Sequence, residues 1–319
     1  MILSKGANKV DFLLAIRTTP FQEMINHTLQ DEVRAKRFVA AVTSAVSINP
    51  ALRECDAGSV LQGALLGESL GLSPSPQLGQ YYLVPFEVKV KDGNGKQVCD
   101  EKGNPVTQKV ATFIPGYKGY KVLAMNSGVY KSVVSIPVKK GELKEYDPFT
   151  NHFRAEAIAD PSERESAETV GYFGRFELLN GYSEIIYWTK EKMVRHAEKY
   201  SPAFGKAPKK GNFPGRVSFA DYQAGKYPKG DEWAYSSFWY KDFDGMACKT
   251  IVRQLLSKGA PLSTEMRMAF EADGMPIDKD LTPEYVPNED IEEFVGIAAD
   301  STPEQPELES DVPLSLADI

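Results

Sequence analysis

Apolar positions along the chain follow two periods, and each predicts a different kind of element. Residues 31–47, DEVRAKRFVAAVTSAVS, place apolar side chains three and four apart. That spacing predicts an amphipathic helix starting near Asp31 and ending before Asn49-Pro50. A second helix is predicted over 57–70, where Val60, Leu61, Ala64, Leu65 and Leu70 share one face and Gly71 stops the run. After the turn SPSPQLG the texture changes. Residues 80–90 are aromatic and β-branched and read as a strand leading into the turn DGNG at 92–95. Further strands are expected at 107–114 and 129–138, with a short helix over 117–126 between them. Residues 171–179 and 182–188 flank Asn180-Gly181, a pair suited to a tight hairpin turn. Antiparallel strands between helical ends predict an α+β fold, in which a β-meander packs with helices behind a helical N-terminal region.

The stretch 239–256, WYKDFDGMACKTIVRQLL, predicts one helix with two faces. Phe243, Met246, Ala247, Ile251 and Leu255 form the apolar side, while Lys249 and Arg253 stand four apart on another. Two fixed cations on a packed helix suit a phosphate backbone. The plainer reading is a solvated charged face over a core stripe. Residues 201–231 scatter six lysines and arginines among glycines, prolines and aromatics, which predicts a long, partly mobile loop.

Charge sharpens this picture once it is divided along the chain. The 319 residues carry a net charge of -7, yet 15 acids and a single lysine, Lys279, lie from Glu271 to Ile319. That tail carries -14, which leaves +7 on the residues before it. The division predicts a mildly basic body over 1–270 and an acidic, largely disordered tail over 271–319, poor in core-forming residues. No apolar run approaches the roughly 18 residues of a membrane span. The three cysteines lie far apart and no histidine joins them at metal-ligand spacing, so a cytoplasmic protein without structural zinc is expected.

Motifs narrow the chemistry further. There is neither a GxxxxGK[ST] phosphate loop nor a GxGxxG fingerprint, so nucleotide hydrolysis lacks its usual apparatus and ATP-independent action is expected. Glu87-Val88-Lys89 and Glu142-Leu143-Lys144 have the acid-x-lysine spacing of some metal-dependent nucleases, but no companion acid accompanies either. No catalytic or metal site is assigned. Residues 115–121, PGYKGYK, place glycines at a strand-to-helix junction, where amides and Lys118 or Lys121 suit phosphates and Tyr117 or Tyr120 suits a base. The structural alternative is that the tyrosines pack and the glycines serve the turn. Arg175, Lys190 and Lys192 are candidates to extend a cationic surface.

Three segments, in order, resemble the RecT family of phage single-strand annealing proteins. They are ALRECDAGSVLQGALLGESLGLSPSPQLGQYYLVPF from Ala51, IPGYKGYKVLAMNSG from Ile114, and WYKDFDGMACKTIVRQLL from Trp239. The resemblance implies a recombinase, not a covalent-chemistry enzyme. Such a protein coats single-stranded DNA, pairs it with a complement through an annealed duplex intermediate without ATP, and assembles into rings or helical filaments. It implies a core related to Redβ, with a basic groove between subunits, and a role in phage-type DNA recombination and repair. Carried over by residue, Tyr117, Lys118 and Gly119 match a Gly-Tyr-basic-Gly element, and Lys249, Thr250 and Arg253 match the basic face of a late helix. Lys121, Arg175, Lys190 and Lys192 complete the expected DNA-binding set. No cofactor is implied as required, and modulation by Mg2+ is left open. The tail is expected to recruit a phage exonuclease or the host single-strand-binding protein. A passive single-strand-binding protein that protects DNA without pairing it is the alternative.

Overall fold

The computed structural model describes residues 11–90, 96–101, 103–201, 203–211 and 213–274. The turn expected at 92–95 and the tail from 275 onward lie outside the described residues. The N-terminal region is helical: α1 (Phe12–Ala15), α2 (Thr19–Leu29), α3 (Glu32–Ile48) and α4 (Ala57–Ser69). Local chemistry fixes their ends. Asp31 accepts a hydrogen bond from the Arg34 amide at the start of α3, and Asp56 does the same for Ser59 at the start of α4. Gly71 closes α4 with a φ of 68°, a left-handed conformation that glycine adopts without a Cβ penalty.

Strands β1 (Tyr81–Lys89) and β2 (Thr107–Pro115) form one antiparallel hairpin, followed by α5 (Tyr117–Asn126). Next come β3 (Tyr130–Lys139), a short hairpin of β4 (Leu143–Asp147) and β5 (His152–Ala155), and the one-turn helix α6 (Pro161–Ser166). Strands β6 (Thr169–Leu178) and β7 (Ser183–Thr189) complete a three-stranded sheet in the order β3-β6-β7, in which every pair is antiparallel. The chain is thus α+β, with its antiparallel strands divided between a sheet and two hairpins. The β4–β5 hairpin and α6 are inserted between paired neighbours β3 and β6.

After α7 (Lys190–Tyr200) come α8 (Phe219–Gln223), α9 (Phe238–Lys241), α10 (Phe243–Gly259) and α11 (Thr264–Ala272). The single helix expected over 239–256 is broken at Asp242. That residue has non-helical backbone angles and uses its carboxylate to accept from the Gly245 amide, so it begins α10 instead of continuing α9. Segment 201–231 is also more ordered than its glycines and prolines suggest. Phe204, Phe219, Trp239, Tyr240 and Phe243 form an aromatic cluster beneath it. The Tyr240 and Tyr235 hydroxyls accept from the Gly205 and Val217 amides. Ring burial supplies what local propensity does not.

α10 is the central strut. Its buried Ala247, Cys248, Ile251, Val252, Leu255 and Leu256 pack on one face of the three-stranded sheet, with α5 alongside. Tyr172 and Thr169 of β6 both donate to Asp244 in the first turn of α10, at 2.6 and 3.0 Å. α11 then packs on α5 and β2, while α4 covers β1 and β2 beneath α1 and α2. α11 crosses residue 270, where the sequence reading divides body from tail, and carries buried Ala272 into the core. Among the described residues, no helix is long and apolar enough to cross a membrane.

Candidate nucleic-acid interface

Period alone places Lys249, Thr250 and Arg253 on α10, and tertiary packing decides what they meet. Lys249 Nζ lies 3.3 Å from Asp273 Oδ1, and Arg253 Nη1 lies 3.3 Å from Asp273 Oδ2. The Tyr120 hydroxyl on α5 donates to the same carboxylate at 2.8 Å. The Asp273 side chain is 2% exposed, Lys249 13% and Arg253 34%. Burial lowers the Lys249 pKa, with Arg253 acting in the same direction and Asp273 opposing it. Burial also works against the Arg253 charge, but Asp273 and Tyr120 more than offset it. These two cations are therefore already partnered inside the protein. Thr250 bonds back to the Met246 carbonyl of its own helix at 3.0 Å.

Around the start of α5 the glycines answer to packing. A methyl group on Gly119 would run into the Gln80 carbonyl oxygen, and one on Gly116 into that of Gly79. Both glycines let the helix start lie against the segment entering β1. Tyr117 is half-buried and donates to the Ser135 carbonyl at 3.2 Å, while Lys121 Nζ sits 5.5 Å from the Tyr117 ring centre. Lys118 is exposed and lies beside Gly79 and Tyr82. The Tyr82 ring is 6.2 Å from that of exposed Phe238, over which Lys241 lies at 5.9 Å. A small group of cations and rings thus surrounds the exposed end of α5.

A larger group lies on α7. The Thr189 hydroxyl caps this helix by accepting from the Lys192 amide, which aims the following turns. Lys192 Nζ lies 4.4 Å over the Trp188 ring and Lys199 Nζ lies 4.9 Å over Tyr200. His196 sits between these rings, with centroids 5.2 Å from Trp188 and 4.6 Å from Tyr200. Its pKa is pushed down to about 4, first by burial and then by Arg253, Lys258, Lys192 and Lys199. Cations from both α7 and α10 are thus near enough to His196 to disfavour its charged form. Lys192 itself has its pKa lowered by burial, then by Lys258 and Arg195.

Lys190 lies in the first turn of this helix. Lys258, Lys199, Trp188, His196 and Tyr200 did not emerge from the sequence reading. For those on α7 the signal was available, since Lys192, His196 and Lys199 recur four and three apart. Arg175 is not brought to this face. Its neighbour Gly174 points at Ile251 and Leu255 of α10, so Arg175 points through the opposite side of the sheet, where it meets Glu177 at 3.3 Å. Of the two acid-x-lysine sequences, Glu142 is held by Arg164 at 2.6 Å and accepts from the Lys139 amide. It anchors the β4–β5 hairpin. Among the described residues, no three His, Cys, Asp or Glu side chains gather as metal ligands.

Residues 36–287 match the model of the RecT family. The chain belongs to the RecT family. Over 237 residues it is 31% identical to the uncharacterized protein YqaK of Bacillus subtilis strain 168, covering 74% of this chain and 63% of that protein. Over 265 residues it is 25% identical to Protein RecT of Escherichia coli K12, covering 82% of this chain and 80% of that one. The chain thus spans less than two thirds of the Bacillus relative's length. The RecT family match begins within α3 and takes in the sheet, α7, α10 and α11.

Proposed function

We propose that this chain is an ATP-independent annealing protein that binds single-stranded DNA and promotes pairing of complementary strands in phage-type homologous recombination. The observation that carries the reading is the interleaving of cations and rings along α7, where Lys192 lies over Trp188, Lys199 lies over Tyr200, and His196 sits between the two rings. Cations and rings interleaved on one surface suit a flexible strand, because phosphate neutralisation and base stacking work on any sequence. Annealing needs both, since two strands repel through their phosphates while their base edges must stay free to pair.

In this reading Lys190, Lys192, Lys199 and Lys258 contact the backbone and Tyr200 stacks, while buried Trp188 supports Lys192 from below. Lys118 and Lys121, near Tyr117, extend the track at α5. Lys249 and Arg253 join only where a phosphate replaces the Asp273 carboxylate. The working form is a homo-oligomer, ring or filament. The acidic segment beyond Gly274 recruits a phage exonuclease or the host single-strand-binding protein.

The test mixes the protein, without nucleotide, with two complementary fluorescent oligonucleotides across a salt series. Pairing faster than in noncomplementary controls, and slowing as salt rises, is the expected result. Binding without acceleration would point to passive coating, and absence of binding would overturn the reading.

A further inference from the structure

A groove of about 430 Å³ runs between α7 and α8. Val194, Phe219 and Ala220 give it an apolar floor, and Lys190, Glu191, Arg195 and Gln223 supply its polar lining. Lys190 and Val194 stand one turn apart, on the other flank of α7 from Lys192 and His196. Phe219 stacks on Phe243 of α10 with ring centres 4.9 Å apart, so the floor is fixed by the core. The acids here are already engaged. Glu191 is bonded by its own amide and by the Thr189 hydroxyl, which with Arg195 and Lys190 hold its pKa below the ordinary carboxylate range. On α8, Asp221 accepts from the Ser218 hydroxyl at 2.7 Å and lies 3.7 Å from Lys226. Among the described residues neither Lys190 nor Arg195 reaches a carboxylate at salt-bridge distance. Two cations beside an apolar floor fit an acidic segment that carries an aromatic side chain.

The chain itself supplies such a segment. Residues 275–319 hold 13 acids and one lysine, and within them 289–297, EDIEEFVGI, interleave four carboxylates with Ile291, Phe294, Val295 and Ile297. Phe294 is the one phenylalanine of that stretch. The described chain leaves the core where Asp273 is held by Lys249 and Arg253 of α10, and α10 and α7 both pack on β6. The 20 residues from Gly274 to Phe294 span roughly 70 Å when extended, enough to reach α7 of the same chain.

We propose that residues 289–297 dock in the α7–α8 groove of their own chain, with Phe294 on Val194 and Phe219 and the neighbouring carboxylates on Lys190 and Arg195. Docked there, the segment screens Lys190 and its surroundings from phosphates, and single-stranded DNA must displace it. This competition rests on the annealing reading, whereas the docking site does not.

The test places benzoylphenylalanine, a photo-crosslinking side chain, at position 294 of the full-length protein. Illumination is expected to join that position to α7 or α8 within one chain, at protomer mass on a denaturing gel, and a bound thymidine homopolymer is expected to abolish the cross-link. Ala220→Gln, which fills the groove without changing charge, should abolish it as well, and Val194→Gln serves should Ala220→Gln fold poorly. Phe294→Ser, without the photo-crosslinker, should melt with wild type and bind the homopolymer about tenfold more tightly at low salt, as expected on losing a tethered competitor whose local concentration is about ten times its dissociation constant. Cross-links that map elsewhere, run at dimer mass or persist once DNA is bound would each overturn the proposal, as would Phe294→Ser binding no more tightly than wild type. A groove cross-link in a protein that neither binds the homopolymer nor pairs strands would instead sink the annealing reading and leave the docking site standing. Normal pairing with no groove cross-link would do the reverse.

Discussion

Lys249 and Lys192 are both lysines on helices packed against the same three-stranded sheet, yet they face different surroundings. Lys249 is enclosed and bonded to Asp273, within a cluster shared by Arg253 and Tyr120. Lys192 is exposed, lies over Trp188 and is surrounded by other cations. A cation with a buried carboxylate partner belongs to the fold and must be released before it meets a phosphate. A cation held among like charges gains from any phosphate that arrives. Helical spacing marks both residues, and only their packing separates a buried ion pair from an exposed cation.

The largest effect expected on this contrast comes from Asp273→Ala. It leaves Lys249 and Arg253 enclosed without a counter-charge, and stripping one partner from a buried ion cluster costs about 3–5 kcal/mol. Urea unfolding should register that loss, whereas Lys199→Ala should stay within about 0.5 kcal/mol of wild type. A neutral Asp273→Ala would erase the distinction between the two helices. Gly119→Ala asks the same question of α5: forcing a methyl into the Gln80 carbonyl should cost about 1–3 kcal/mol, with loss of DNA binding only in step with loss of folded protein. A stable Gly119→Ala that still fails to bind would give the glycine a direct role at the phosphate.

Smaller and more specific effects are expected on the α7 face. Lys192→Gln combined with Lys258→Gln should weaken single-strand binding and flatten the salt dependence by about 0.7 in log-log slope per lost contact, leaving unfolding free energy nearly unchanged. An unaltered slope would remove these lysines from the interface. The gentlest probe is His196. Its folded pKa of about 4 lies below the ordinary value of 6.5, so the unfolded chain takes up the proton first. The stabilising contribution of neutral His196 is therefore present above pH 6.5 and is lost as pH falls from there towards 4. His196→Gln should flatten stability across that window. Bound single-stranded DNA should raise the His196 pKa by bringing negative charge to the face, a shift that NMR titration of the imidazole would follow.

How legible the protein was depended on the range of the interaction involved. The starts of α3 and α4 were readable because Asp31 and Asp56 cap amides three residues away. The break at Asp242 was not: continuous helical spacing concealed a cap. Segment 201–231 looked like a loose loop because the rings that order it are contributed by α9 and α10 as well as by the segment itself. Lys190 and Lys192 were singled out from local charge, and Arg175 was grouped with them although the pleat turns it to the other side of the sheet. Lys258 was missed because its relation to α7 exists only once the two helices are packed.

The sequence by itself determined the helices, the strands, the glycine-bearing α5 junction, the separation of a basic body from acidic residues, and enough ordered motif to indicate the RecT family. Those properties follow from neighbours a few residues apart, where periodicity and capping act. Only the tertiary structure decided which cations are committed and which are offered. Asp273 reaches Lys249 across 24 residues and Tyr120 across 153. Burial and counter-charge, which set whether a lysine can serve a phosphate, arise when distant segments meet, and no local spacing encodes them.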